Sequence, residues 1–437
     1  MILDREIWLN IIFFLTLFGI VWGLIDTKRI IQAPFLYAIG MLLILCPQLY
    51  IATFNSWRVP DEAFEIFCIM VVLCTIAFYW GYGSPPKSKD EENTKRWVID
   101  DNRLFQLGLF VASLGSVGTI QISLMGEVQE WRGWAVYWVT LAKFIVPGIS
   151  LILISFFQSK KKERLIFALI FSISPLMAIF GAGRRSATLT LPLVYLLPWL
   201  FYNPKARVPR WTVILFVIFG FIVAYAFPYW RGQFQYGNYV GVIQERPLSV
   251  IVEEMFSPDG DRVLEIIDGM ITTGAHYRLE NYGWGWRRIY NMLIELYVPG
   301  GLIGRDLKDS LRIGTGVGID WVTEAYNIPV AFYTAKSAYT ELFGEFSFYG
   351  SAVFFLVGRW YRQIYDAITH RFDGRAIIFM CFFGAFPAGF PYGAMIAGWL
   401  TQLPQVAVML FAFHWCLIRV PEQEYIEKME SLNPLPR

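Results

Sequence analysis

Charge is scarce in this chain. Only 16% of its 437 residues are Asp, Glu, Lys or Arg, where a soluble globular protein carries about 25%. Histidine is rarer, with three in the whole sequence. The formal net charge of +2 builds no basic field, so no nucleic-acid partner is expected. Cysteine is sparse as well. The five (Cys46, Cys68, Cys74, Cys381 and Cys416) all lie in apolar runs, where neither a disulfide framework nor a metal-ligand spacing can be read. There is no clear internal repeat. No small-residue cleavage site follows the first apolar run, which reads as a span rather than a cleaved signal peptide.

What is abundant is apolar. Hydrophobic residues make up 56% and aromatics 18% of the chain, and mean hydropathy is +0.46. A helix needs about 20 mostly apolar residues to cross a bilayer core. Runs of that kind fall near 7–24, 35–54, 64–83, 104–125, 134–157, 165–181, 187–202, 211–229, 339–358, 376–397 and 399–418. The expected fold is an all-α polytopic membrane protein of about 11 transmembrane helices. The sixth and seventh runs are short, which predicts tilt or a partly re-entrant hairpin. Residues 1–229 form an N-terminal bundle, 230–338 a long extracytoplasmic segment, 339–418 a C-terminal set of spans and 419–437 a tail.

Lys and Arg in short loops set the orientation. The basic loops are "DTKR", "KSKDEENTKR", "QSKKKER", "NPKARVPR" and "GRWYRQIYDAITHRFDGR", and they are every second loop. That places the N-terminus outside and the C-terminal tail in the cytoplasm. The same alternation puts Arg184 and Arg185, in "GAGRRSA", on the outer side, where other short loops are poor in base apart from Arg58 and Arg132. Such a pair either snorkels to lipid phosphates or meets an anionic ligand, and the ligand is favoured.

The segment 230–338 is too long to be a plain connection, and loops of that length are usually functional. Apolar residues recur at helical spacing through Val263, Ile266, Ile267 and Met270, and again through Ile289, Met292, Leu293 and Leu296. Short amphipathic helices along the outer membrane face are expected there. The segment runs into the ninth span as "AFYTAKSAYTELFGEFSFYGSAVFFLVG". With a helix starting near Thr334, Glu341 and Glu345 stand one turn apart on one face, with Lys336 on the adjoining turn. Carboxylates at that depth are costly unless paired or facing a wet cavity.

Three features together resemble the bacterial polysaccharide polymerases (O-antigen or Wzy-type), which are related to the O-antigen ligases. They are the "GAGRRSA" turn between two middle spans, the single long outer loop late in the chain, and "YTELFGEFSFYGSAVFFLVG" opening a late span. In that last segment Glu341, Gly344 and Gly350 are the matching positions. The family segment often reads Asn-Phe-Gly where this chain has "GEFSFYG", and the His-containing loop pattern of the ligases is not seen. The likeness covers about the second half of the chain and leaves room for a GT-C-like architecture.

The resemblance implies an integral membrane glycosyltransferase of the bacterial inner membrane. It would join oligosaccharide repeat units carried on undecaprenyl diphosphate into O-antigen, capsule or exopolysaccharide. Its partners would be the lipid-linked oligosaccharides, membrane lipids and a chain-length regulator protein, and it would need no cofactor. A diphosphate leaving group calls for Arg, whose planar fork binds phosphate oxygens in pairs. Arg184, Arg185, Arg231, Arg278 and Arg288 supply such charge on the outer side, with Arg287 beside them. The attacking hydroxyl calls for an acceptor. Glu341, Glu345 and His276 are the candidates, with Asp259 and Asp261 as a further acidic pair. "PDGD" reads as a solvated turn, so no metal is expected. The aromatic run "YGWGWRRIY" suits either sugar stacking or interface anchoring.

Two rival functions remain open. A ligase would transfer finished glycan to another lipid. A lipid-linked oligosaccharide flippase should show two comparable halves and polar residues through many spans, whereas polarity here gathers at one face and in one loop.

Overall fold

The computed structural model describes residues 3–54, 59–84, 96–124, 134–182, 185–203, 208–220, 265–280, 300–313, 325–328, 337–384, 386–389 and 402–420, with scattered positions between 222 and 298. The protein is a helical, membrane-embedded bundle. Among the described residues, five helices are long and apolar enough to cross a bilayer: α1 (Arg5–Ile25), α2 (Ala33–Phe54), α3 (Asp61–Gly83), α4 (Asp101–Ile122) and a fifth over Tyr137–Ser159. The fifth is built of α5 (Trp134–Ala142) and α6 (Ile145–Ser159). Then follow α7 (Lys162–Ala182) and α8 (Arg185–Tyr202). With 21 and 18 residues these two are longer than their apolar runs suggested. Shorter α9 (Arg210–Gly220) precedes α10 (Glu265–Arg278), α11 (Ala338–Phe346), α12 (Ser351–Arg371), α13 (Gly374–Phe383) and α14 (Leu403–Trp415).

α1 shows what the surroundings must be. Phe14, Phe18, Val21 and Ile25 are 69%, 55%, 54% and 65% exposed, an apolar stripe that water would not tolerate and lipid tails do. Its other face packs inward through Trp8, Ile12, Thr16, Gly19 and Gly23. The core behind it is rich in aromatics, with Tyr37, Phe64, Phe67, Phe78, Tyr339, Phe343 and Phe354 all fully buried. α3 and α12 approach closely because each offers a glycine. A side chain at Gly81 would strike the Phe355 backbone, and one at Gly358 would strike the Phe78 carbonyl. Small residues that let backbones meet are the usual basis of helix association in lipid.

The described parts of the five basic segments converge on one end of the bundle. Arg29 lies over the Trp22 ring at 5.0 Å and Arg362 over Tyr82 at 5.6 Å. The Tyr82 hydroxyl donates to Gln32 Oε1 (2.9 Å), and Tyr202 meets Phe372 edge-on at 5.2 Å. Arg375 sits 3.9 Å from the Trp97 ring centroid. A two-stranded antiparallel sheet caps this end, pairing β1 (Arg96–Ile99) with β2 (Leu417–Val420) in the register Arg96↔Val420 to Ile99↔Leu417. The sheet is an addition to a fold that is otherwise helical among the described residues.

Arg164 is the strongest fixture of this end. It is 2% exposed. Its Nη1 donates to the Asp101 carboxylate (2.8 Å) and to Ser155 Oγ (2.5 Å), and its Nη2 donates to Asn102 Oδ1 (2.6 Å). Removing one member of a buried ion pair costs about 3–5 kcal/mol. Asp101 keeps 30% of its side-chain surface, so the lower end applies. Arg164→Ala is expected to lower the Tm of the detergent-solubilised protein by several degrees, read by a thiol-reactive or light-scattering melt. An unchanged Tm would show the clamp to be idle.

Two readings of the sequence are corrected. The ninth span is not one helix from near Thr334. α11 starts at Ala338 and stops at Ser347, which takes a left-handed φ of 53°. A 3-10 turn over Ser347–Gly350 then leads into α12. The chain doubles back there. Tyr339 and Phe354 would be about 22 Å apart in one straight helix, yet their rings stack at 5.3 Å with 5° between planes. Gly350 permits the reversal, since a Cβ there would sit 2.7 Å from the Leu342 carbonyl oxygen. Secondly, the basic stretch after Gly358 is not a loop. α12 runs through it to Arg371, with Phe354, Val357, Tyr361, Ile364 and Ile368 buried on one face.

Candidate functional site

The site grows from two short helices that lie inside the bundle near the end opposite the basic segments. α10 was expected on the membrane surface with one face wet. Instead Ile266, Ile267, Met270, Ile271, Thr272, Thr273, Ala275 and His276 are all buried, because α2, α3 and α11 surround it. Gly274 meets Ala63 of α3 so tightly that a Cβ would overlap it. At its start, the Ile266 N–H donates to Gln48 Oε1 of α2 (2.9 Å). A side chain from another helix thus satisfies one of the donors that a helix N-terminus leaves orphaned. Thr272 and Thr273 donate back to the carbonyls of Asp268 and Gly269 (2.7 and 2.8 Å), which settles their hydroxyls in apolar surroundings.

α11 is capped by Ser337, whose Oγ accepts from the Thr340 N–H (3.3 Å). Thr340 Oγ1 donates to the Gly269 carbonyl (3.1 Å) and lies 3.2 Å from Thr273 Oγ1. These bonds stitch α11 to α10 one turn at a time. Every residue from Ala338 to Glu345 is buried. Glu341 and Glu345 are 1% and 2% exposed and His276 is 4% exposed. The imidazole lies directly on Gly344, where a Cβ would be 2.6 Å from His276 Nε2. Gly344 sits between the two glutamates in the chain, so the structure packs His276 against the short helix that carries Glu341 and Glu345. Their separate sequence signals, a loop histidine and a pair of span carboxylates, gave no hint of this meeting.

At the open edge of this contact, the Tyr326 hydroxyl donates to Glu62 Oε2 (3.1 Å), and Arg278 lies 5.3 Å from the Tyr326 ring centroid. Burial, and then the Glu62 charge, push the Tyr326 phenol above its ordinary value, while Arg278 pulls the other way. Arg278 is exposed. Of the other expected diphosphate ligands, Arg184, Arg231 and Arg288 lie outside the described residues. So do Arg287, Lys336, Asp259 and Asp261. Arg185 opens α8, and its side chain lies outside the described part. Among the described residues no group of three or more His, Cys, Asp or Glu could hold a metal ion.

Several further polar groups shape the site. Gln48 and Glu65 stand inside apolar runs and are buried, which is the signal that could have found them. Glu65 Oε1 accepts from the Leu3 N–H (3.3 Å). Beside it Arg5 donates to the carbonyls of Ala52 (2.7 Å) and Val59 (2.6 Å) and to Asp61. The first residues of α1 thereby tie the ends of α2 and α3 together around the site.

No protein-family model, curated protein or solved structure matches the chain.

Proposed function

We propose that the protein is a polysaccharide polymerase of the bacterial cytoplasmic membrane, extending lipid-diphosphate-linked glycan at the outer face. The observation that carries this reading is the burial of Glu341, Glu345 and His276 on two helices packed against each other, with the imidazole lying on Gly344. Buried ionisable residues in a membrane protein are costly and mark function by default. The described parts of the five basic segments gather at the other end, which the positive-inside rule reads as cytoplasmic. The carboxylates and histidine then belong toward the outer half.

In the reaction, a sugar hydroxyl of one lipid-linked unit attacks the anomeric carbon of another glycan. The new glycosidic C–O bond forms as the bond from that carbon to the diphosphate breaks. The lipid diphosphate leaves with the bonding electron pair, and the hydroxyl proton passes to one of Glu341, Glu345 or His276. Arg184, Arg185, Arg231, Arg278 and Arg288 are the groups for the departing negative charge, a term that often dominates such catalysis.

The test is glycan chain length in the source organism lacking the gene, complemented with the wild type or with Arg184→Ala/Arg185→Ala. A ladder of surface polysaccharide with the wild type, and single repeat units with the variant at normal membrane level, is the expected result. An unchanged ladder in the variant makes the arginines interfacial anchors. Long glycan that never reaches its final acceptor in the deletion strain replaces polymerase by ligase. A second reading, transport of the lipid-linked glycan, draws on α10 and α11 as helices that begin within the bundle, a feature of transporter sites. It predicts that the deletion strain accumulates its repeat units on the cytoplasmic leaflet.

A further inference from the structure

α11 is held at two successive residues whose side chains leave it in different directions. Thr340 bonds to α10, as described above. Tyr339 points the other way, into the middle of the bundle, where its hydroxyl lies 2.7 Å from the Tyr37 hydroxyl of α2. Both tyrosines are fully buried. The Tyr37 hydroxyl also meets Thr75 Oγ1 of α3 at 3.2 Å, and Thr75 donates on to the Val71 carbonyl (2.8 Å). The Tyr37 ring stacks on Phe78 at 4.4 Å, and the Tyr339 ring stacks on Phe354 and meets Phe67 edge-on at 6.0 Å. Successive helix residues project about 100° apart. Two anchors on neighbouring residues therefore fix both the rotation of α11 and its height in the bundle.

We propose that the Tyr37–Tyr339 hydroxyl pair is a positioning device that sets where Glu341 and Glu345 stand toward His276. The proposal rests on the reading of those three groups as the site that activates the acceptor sugar. α11 has only nine residues and ends in the reversal at Ser347, so it has no length of its own to hold it. The hydroxyl pair is its link to α2, and the stacked Phe354 makes the first turn of α12 share the same anchor. Glu341 follows Tyr339 by two residues and Glu345 by six. A slip or a rotation at the tyrosine moves both carboxylates together relative to α10.

The experiment uses purified full-length protein in proteoliposomes and lipid-linked oligosaccharide extracted from membranes of the gene-deleted organism. Chain extension is measured for Tyr37→Phe, Tyr339→Phe, the double variant, Thr75→Val and Glu341→Gln. Each tyrosine variant is expected to lower kcat about tenfold with KM unchanged, since small misplacements of reacting groups are costly. The double variant should also lose about tenfold rather than hundredfold, because the pair is already broken in either single variant. Thr75→Val removes another hydrogen bond from Tyr37 without touching α11, and should keep wild-type kcat.

If Thr75→Val is as damaging as the tyrosine variants, the pair is merely structural and the proposal is overturned. Additive losses in the double variant overturn it too, as does wild-type kcat in both tyrosine variants while Glu341→Gln is inactive. In that last case the functional reading stands. If Glu341→Gln, Glu345→Gln and His276→Gln all extend chains normally, the functional reading fails and the positioning proposal falls with it.

Discussion

Glu341→Gln is expected to abolish chain extension. A positioned acid or base contributes about 10²–10⁴ in rate, and an amide of the same shape cannot take the proton. The loss should therefore be on that order in kcat, with the protein still present in the membrane at the wild-type level. The substitution is nearly isosteric, and Glu341 is 1% exposed within a closely packed helix pair, so the fold is not expected to give way. Measuring Glu345→Gln and His276→Gln beside it separates the roles, because the group that takes the proton should show the largest fall. If all three variants extend chains at the wild-type rate, the helix contact is structural and the chemistry lies elsewhere.

Gly344→Ala carries the second large effect, and it needs no charge at all. One added methyl would sit 2.6 Å from His276 Nε2, closer than side chains approach. The imidazole is buried and has no solvent to retreat into. Overpacking of this kind costs about 1–3 kcal/mol, and displacing the histidine should cost about 10²-fold in rate. The diagnostic is a second substitution. His276→Ala in the Gly344→Ala background empties the space the methyl needs, so the Tm should return toward wild type while activity stays lost. A double variant that remains as unstable as Gly344→Ala would mean the methyl strikes something other than the imidazole.

The helical, apolar character of the chain was legible in its sequence, because hydropathy reports directly on lipid contact. The pairing of Glu341 with Glu345 was legible too, since four residues make one helical turn whether or not the helix spans. The reversal at Ser347 was not. Its turn reads "FSFYG", which carries no charge and none of the Pro, Asn or Asp that mark many turns. A hydropathy window therefore runs straight through. The burial of α10 is hidden in the sequence for a related reason. Period shows that Ile266, Ile267 and Met270 share a face, but not what covers Thr273 and His276 on the others. The basic stretch after Gly358 has the charge of a loop but the period of a helix. Val357, Tyr361, Ile364 and Ile368 carry the helical repeat through it.

The pairing of β1 with β2 joins a segment that leaves the ribosome early to one that leaves it late. The helices between them must all be inserted before the strand at Leu417–Val420 reaches its partner at Arg96–Ile99. Until then the edge of β1 stands open, and Trp97 and Arg375 wait without the sheet that frames them. The strand closure outside the apolar bundle therefore comes only after the helices between the two strands have been made.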